Sequence, residues 1–268
     1  MDGGGGAGGA EGELTAQETA LYDRQIRVWG VDAQKRLSKA HVLVCGMNGT
    51  TIEFCKNIVL AGVGSLSLMD DNVVTEEDLN ANFLIPPDES IYGDPSLIDG
   101  EFLDKFDIVV LSRASLKTKK KPGGATEQQE LTYSSLQEAI SVPWNSLPKK
   151  TAKLYFAMRV LEDYELSEGR SPGETTLSDI DAVLARRKDM CDKMSLNESR
   201  IPTTLVERLL AAGKKEHPPV CAILGGILGQ EVIKSISCKG DPVKNFFYFD
   251  VADGKGVIED IPPPPPAK

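Results

Sequence analysis

The chain has few of the residues that build metal and redox centres. Its 268 residues include only five cysteines and two histidines. No two cysteines form a CxxC pair, whereas a structural zinc site needs about four ligands at short spacings. These shortages argue against a zinc ribbon and against a dithiol redox protein, so we predict no metal site. The cysteine usage is typical of a reducing compartment.

Positive charge and long apolar runs are also scarce. The formal net charge is -10, which leaves no basic surface large enough to hold the phosphates of a nucleic acid. No apolar run approaches membrane-spanning length, and the glycine-rich start lacks the order of a signal peptide. We therefore expect neither nucleic acid nor a membrane among the partners of this chain.

Two biased segments enclose a chain that can bury a large core. Residues 1–13 are rich in glycine and predict a disordered tail, while residues 261–268 are rich in proline and favour an extended tail. The hydrophobic content of the whole chain is 41%. That content and length suit one α/β domain with an insertion, or two modest domains.

Residues 41–71 have the order strand, glycine turn, helix, strand. The first strand ends on Gly46, the helix follows Gly49, and the second strand stops at Asp70. In nucleotide-binding folds such glycines let the backbone approach phosphate, and an acid about 20 residues later holds ribose hydroxyls. Gly46, Gly49 and Asp70 are therefore candidate nucleotide-binding residues.

The glycine pattern of this turn is incomplete. A GxGxxG motif would require glycine where Asn48 and Thr51 stand. A tight strand-to-helix turn without any ligand explains the remaining glycines equally well. Asp70 could in the same way serve as a helix cap or a loop acid.

The later part of the chain is mostly helical. Residues 134–213 carry apolar positions at helical spacing, and an almost continuously apolar helix follows at Pro219–Lys234. Its Gly225 and Gly229 are four residues apart and would let another backbone approach, so we expect this helix to be buried, either in the core or against another subunit. Cys221 lies in its apolar first part, which favours a buried structural thiol over a nucleophile.

The string YDRQIRVWG, which begins at Tyr22, is the most informative stretch. It belongs to a helix-forming segment at residues 17–37 in which Tyr22 and Trp29 share one apolar stripe. Arg24 and Arg27 offer planar guanidinium groups suited to phosphate or carboxylate. Taken as an isolated helix, the segment would simply have arginines that are solvated or paired with neighbouring acids.

The complete string resembles the opening helix of the activating enzymes for ubiquitin-like modifiers, the ThiF/MoeB-like adenylation-domain family. The apolar helix around Gly225 and the strand at Asn245–Asp250 are also similar to that family. The segment from Trp144 through Arg170 resembles the smaller, non-thioester subunits of the SUMO-activating enzymes more than the related subunits of other activating enzymes. The similarity extends from about residue 21 to residue 260.

The resemblance implies an α/β fold: a Rossmann-like, mostly parallel sheet flanked by helices, with a helical insertion. Residues 14–133 would form the N-terminal part of the adenylation domain, residues 134–217 the insertion, and residues 218–260 the C-terminal part. Segments that family members carry between positions matching Leu97 and Ile98, and between those matching Lys121 and Leu131, are absent here. We therefore expect a shortened form with an incomplete sheet.

The string that begins at Asn80 resembles the family's NRQF motif, whose arginine and glutamine belong to the ATP pocket. Here the two positions hold Ala81 and Asn82. Asn80 stays a weak nucleotide-binding candidate, whereas an alanine cannot neutralise a phosphate. This departure implies a chain that is not active alone.

The resemblance also implies a division of labour within a heterodimer. A larger catalytic subunit would carry the thioester cysteine and the adenylating pocket, with ATP and magnesium at the partner's site and none bound tightly by this chain. SUMO would be adenylated there, and the SUMO-conjugating enzyme would be recruited by the larger subunit. Arg24 would act in trans on the partner's ATP, and the pair would be nuclear, with a cytoplasmic pool as a second expectation.

Two other functions stay open on the sequence alone. A free-standing ThiF/MoeB-like adenylyltransferase would need the missing arginine, an intact glycine loop and usually zinc-binding cysteines. A degenerate Rossmann dinucleotide-binding protein would instead interact with a nicotinamide cofactor. Composition does not separate these two alternatives.

Overall fold

The computed structural model describes residues 14–70, 108–111, 115–118 and 136–261. The chain divides into two compact units. The first comprises residues 1–128 and 216–242, and the second comprises residues 129–215 and 243–268. Each unit has a hydrophobic core of its own.

Three short helices open the first unit: α1 (Ala16–Leu21), α2 (Asp23–Trp29) and α3 (Val31–Leu37). The helix-forming segment expected at residues 17–37 is thus divided into three short helices. Gly30 ends α2 with a φ of 90°, a backbone conformation that glycine adopts without steric cost. The break re-aims the chain between α2 and α3.

A four-stranded sheet is described in the first unit, with the order β2-β1-β3-β4. The strands β1, β2 and β3 run parallel, and β4 is antiparallel to β3. Helix α4 (Gly49–Leu60) connects β1 to β2. This arrangement confirms the expected α/β fold with a mostly parallel sheet, which is small and incomplete. The strands are β1 (His41–Cys45), β2 (Ser65–Met69), β3 (Ile108–Leu111) and β4 (Ser115–Thr118).

The core of the first unit lies between β1 and two helices. Val42 and Val44 of β1 are fully buried against Phe54 and Ile58 of α4. The long helix α9 (Pro218–Ser237) packs on α4 and α3 and adds two further apolar side chains to this cluster. Burial of these side chains removes apolar surface from water and stabilises the unit.

Helix α9 corrects one expectation. By length and composition it could cross a membrane, so the expectation that no apolar run approaches that length is wrong for this helix. The face that carries Gly225 and Gly229 is buried, whereas Ile223 is 41% exposed. Core helices of soluble proteins meet the same length and composition test, so this finding is weak evidence for a membrane.

The second unit contains four helices among its described residues and a two-stranded hairpin. Its core is centred on Trp144, Tyr155 and Phe156, whose rings meet edge to face at centroid distances of 5.3 Å. Such aromatic pairs stabilise a core beyond their buried area. The elements are α5 (Leu136–Ile140), α6 (Lys153–Ser167), α7 (Ile180–Lys193), α8 (Thr203–Ala212), β5 (Phe246–Asp250) and β6 (Lys255–Glu259).

The hairpin belongs to the second unit. Phe246 and Tyr248 of β5 stack on each other and meet Tyr155 edge to face. The side chain of Asn245 also bonds both backbone groups of Ile261, at 2.8 and 3.0 Å. These contacts tie residues 243–261 to α6.

Candidate functional site

The loop that follows β1 lies where open α/β sheets bind their ligands. Strand β1 has the parallel strands β2 and β3 on its two sides, and the chain passes from β1 through α4 to β2. The crevice beyond β1 is thus a point at which the strand order reverses. Gly46 stands at the end of β1 with a φ of 84°, which a glycine tolerates freely.

Two carboxylates accept hydrogen bonds from the backbone of this loop. The Met47 amide donates to Oδ2 of Asp70 at 2.6 Å, and the Gly49 amide donates to Oε2 of Glu216 at 2.8 Å. Amide groups at the start of a helix have no partner within the helix and are common binding groups for phosphate. In this chain, Glu216 occupies the first amide of α4, and Asp70 occupies the amide of Met47, which lies just before the N-cap residue Asn48.

Asn48 and Thr51 stand where the glycine motif would have glycines, and both cap α4. The Thr51 amide donates to Oδ1 of Asn48 at 2.9 Å, and the Asn48 amide donates to Oγ1 of Thr51 at 2.8 Å. The Thr51 hydroxyl also donates to the carbonyl of Gly46 at 2.9 Å. This reciprocal capping satisfies two further loop amides without any ligand.

The structure therefore brings three of the sequence candidates, Gly46, Gly49 and Asp70, to one loop. Asp70 closes that loop through the Met47 amide. The sequence analysis missed Glu216, which is 167 residues away from its partner Gly49. No local sequence pattern predicts a contact between residues so far apart in the chain. The fourth nucleotide-binding candidate, Asn80, lies outside the described residues, as do Ala81 and Asn82.

Helix α2 is held in place by its inner face. A Cβ atom on Gly62 would lie only 2.6 Å from Cζ of Tyr22, so the tyrosine ring covers that glycine closely. The Trp29 indole donates to Oε1 of Gln34 at 3.0 Å, and the Gln25 amide donates to the carbonyl of Leu60 at 3.1 Å. These contacts fix the orientation of α2 on the first unit.

The two arginines of α2 differ in their surroundings. Arg24 is exposed, and no hydrogen-bond or ion-pair partner is found for it among the described residues. Arg27 pairs instead with Asp23, one turn earlier on the same helix, at 2.9 Å. A free guanidinium on a fixed helix can meet an anion from outside the chain, because its donors are uncommitted.

Burial makes several thiols poor nucleophiles. It raises the pKa of Cys45, Cys191 and Cys221, and it raises the pKa of Cys55 to about 11. A thiolate is the reactive form of cysteine, so a higher pKa lowers reactivity at neutral pH. Cys221 is only 4% exposed, as expected for a structural thiol.

Metal ligands do not cluster in the part of the chain that the structure describes. No group of three or more histidine, cysteine, aspartate or glutamate side chains there is arranged to hold a metal ion. The loop after β1 has also placed its acids on backbone amides, so they are engaged as hydrogen-bond acceptors.

Sequence comparison assigns the chain to a family. It is 49% identical over 313 aligned positions to SUMO-activating enzyme subunit 1B-1 of Arabidopsis thaliana, covering 93% of this chain and 98% of that protein. The chain belongs to the SUMO-activating enzyme subunit 1 family. Subunit 1A of the same plant is 50% identical, with 93% and 97% covered, and subunit 1 of Danio rerio is 30% identical, with 92% and 95% covered.

The alignments also show that this chain lacks positions that its relative has. The alignment to subunit 1B-1 covers 313 positions, more than the 268 residues of this chain. It therefore contains positions at which the relative has residues and this chain has none. The ThiF family profile matches residues 22–91. The crystal structure of selenomethionine PaaA shares the fold, with a TM-score of 0.53 at 15% identity, covering 92% of this chain and 84% of that one.

Proposed function

We propose that this chain is the regulatory, non-thioester subunit of a heterodimeric SUMO-activating enzyme. It supports the ATP-dependent adenylation and thioester transfer of SUMO, which the larger subunit carries out. The observation that carries the proposal is the 49% identity to a SUMO-activating subunit over nearly the full length of both chains. Neither alternative function has an observation in its favour.

The geometry of the glycine loop supports the division of labour. A nucleotide held at this loop would need the amides of Met47 and Gly49, and both already donate to carboxylates of the chain. The phosphate would bring negative charge next to Asp70 and Glu216, which would repel it. ATP and magnesium are therefore assigned to the partner's site, and the chain alone should not adenylate SUMO.

The contribution of this chain to catalysis is assigned to Arg24. Its helix is oriented by the contacts of Tyr22, Gln25 and Trp29, and its guanidinium is exposed. Adenylation develops charge on the triphosphate, and a preorganised cation stabilises that charge with little reorganisation. Arg24 would reach the partner's ATP in trans, while Arg27 keeps its bond to Asp23.

The test is Arg24→Ala in the assembled heterodimer, measured by ATP–pyrophosphate exchange. We expect exchange to fall by about tenfold to a thousandfold, as for the loss of one positioned charge-stabilising group. Size-exclusion chromatography should show that the pair still assembles. The loss should lie in kcat more than in KM for SUMO, because the charge develops in the transition state.

Two matched variants complete this experiment. Arg27→Ala removes the same charge from the same helix but from an arginine that is already paired, so exchange should stay within about twofold. Arg24→Lys keeps the charge and should restore part of the activity. Unchanged exchange in Arg24→Ala would leave this residue as a surface arginine and would contradict the role assigned to it.

The partners follow from the same proposal. The larger subunit binds this chain directly, SUMO contacts the assembled pair, and the SUMO-conjugating enzyme is reached through the larger subunit. Co-purification of the two chains tests the first of these interactions. We propose a nuclear location with a cytoplasmic pool, supported by the family resemblance alone, and fluorescence microscopy of the tagged chain tests it.

A further inference from the structure

A nucleotide phosphate bound at the loop after β1 would lie next to the N-terminus of α4, because backbone amides at a helix start are suited to phosphate. We propose that the carboxylates of Asp70 and Glu216 keep this loop closed to phosphate. This proposal rests on the proposed function, since it gives a reason why the chain's own loop takes no ATP. Its test does not involve Arg24. It assigns Glu216 to a task that its position in the sequence does not reveal.

The electrostatic argument starts from the helix itself. Helix α4 has 12 residues, long enough for a partial positive charge at its first turn. The Glu216 carboxylate accepts from the Gly49 amide of that turn at 2.8 Å, and the Asp70 carboxylate accepts from the Met47 amide, two residues before the helix, at 2.6 Å. Bonds between an amide and a carboxylate are stronger than bonds between neutral groups. A phosphate would have to displace both acids or share the turn with two like charges.

The packing of α9 explains why Glu216 stays in place. Glu216 immediately precedes His217, the residue that caps the start of α9. A Cβ atom on Gly225 would lie 2.6 Å from Cβ of Glu53 and 2.8 Å from the amide nitrogen of Phe54, so α9 lies directly on α4. Seating α9 against α4 therefore delivers the Glu216 carboxylate to the Gly49 amide. The closure is built into the core of the first unit.

The capping pair supports the same conclusion. Asn48 and Thr51 exchange two hydrogen bonds within the loop, and the Thr51 side chain is almost completely buried. Two of the loop amides are therefore satisfied by capping side chains, and two by carboxylates. All four bonds would have to rearrange for the backbone to wrap a phosphate. Side chains of the same chain therefore satisfy all four of these amides.

The first test neutralises both acids while keeping their size. The full-length chain carrying Asp70→Asn and Glu216→Gln is titrated calorimetrically with inorganic pyrophosphate and with ATP. The amide oxygens of the new side chains can still accept the loop hydrogen bonds, so the fold of the loop is kept. These neutral bonds are weaker than bonds to a carboxylate, so a phosphate displaces them more easily. The matched control carries Asp32→Asn and Asp241→Asn, which remove the same charge from exposed acids of the first unit.

We expect the double variant to bind pyrophosphate at least about tenfold more tightly than the wild type, since unit charges a few ångströms apart interact at this scale or above. The control should bind no better than the wild type. The proposal is overturned if the wild-type chain binds pyrophosphate as tightly as the double variant, or if the control gains as much affinity.

A second measurement needs no stable double variant. The Gly49 amide is the first of α4 and has no acceptor within the helix, so its protection from hydrogen exchange should depend on Glu216. Glu216→Ala should speed exchange at Gly49 by about tenfold or more, whereas Asp32→Ala should leave it unchanged. An unprotected Gly49 amide in the wild-type chain contradicts the contact, whatever the variants do.

Discussion

The contact between α9 and α4 makes one sharp prediction, because adjacent glycines of α9 should respond to alanine in opposite ways. At Gly225, an added Cβ would lie 2.6 Å from Cβ of Glu53, 2.8 Å from the amide nitrogen of Phe54 and 2.8 Å from the carbonyl oxygen of Thr50. At Gly226, the nearest atom, Nδ2 of Asn57, is 4.0 Å away. Gly225→Ala therefore creates a steric clash, and Gly226→Ala does not.

The magnitudes follow from these distances. Replacing a helical glycine by alanine favours the helix by about 1 kcal/mol at either position. Extra methyl groups in a close-packed contact cost about 1–3 kcal/mol and sometimes more. Two of the three atoms near Gly225 belong to the backbone of α4 and cannot move away by a rotamer change. We expect Gly225→Ala to lower the free energy of unfolding by about 2 kcal/mol, and Gly226→Ala to raise it by up to about 1 kcal/mol.

The assay must report on the first unit alone. The chain has two tryptophans, Trp29 in the first unit and Trp144 in the second. In a Trp144→Phe background, tryptophan fluorescence during urea unfolding follows Trp29, which packs against the cluster that includes α9. The reasoning would be refuted if Gly226→Ala lowered the free energy of unfolding as much as Gly225→Ala does. The two glycines would then not differ in their distance from α4.

Two further predictions concern the thiols. In the native chain at mildly alkaline pH, Ellman's reagent should label the exposed Cys238 first and the buried Cys55, Cys191 and Cys221 more slowly; equal rates would contradict the burial of these thiols. The pKa of Cys55 is about 11 in the folded chain against an ordinary value of 9.0, so its neutral form is favoured by folding and its stabilising effect is complete below pH 9. The free energy of unfolding should then fall as the pH rises from 9 to 11, and Cys55→Ala should flatten that slope; an unchanged slope in urea titrations would count against this cause.

Regular elements with a strong local pattern were predictable. The order strand, glycine turn, helix, strand was expected over residues 41–71, and β1, α4 and β2 follow each other in that order. Alternating or β-branched residues and flanking glycines specify such elements through local sterics. The break at Gly30 was not anticipated, because a glycine within a helical pattern is tolerated in many helices.

The glycine loop was predictable only in part. The incomplete motif already argued against phosphate binding, since Asn48 and Thr51 replace glycines. Their reciprocal capping could be expected from their spacing, three residues apart at a helix start. The contact of Glu216 with Gly49 could not be expected, because the residues that follow Glu216 in the chain belong to the start of α9. The ring contact of the hairpin with Tyr155 likewise joins residues that are far apart in the sequence.

The amino-acid sequence by itself indicated the family, the α/β class and the candidate role of Arg24, because each of these depends on short strings of residues. The tertiary structure alone decided what surrounds the α4 N-terminus. Glu216 reaches Gly49 across 167 residues only after α9 has packed on α4 through its glycines. Local propensities specify helices and strands, whereas the partner of a backbone amide at a helix start is set by whatever the folded core brings within about 3 Å of it.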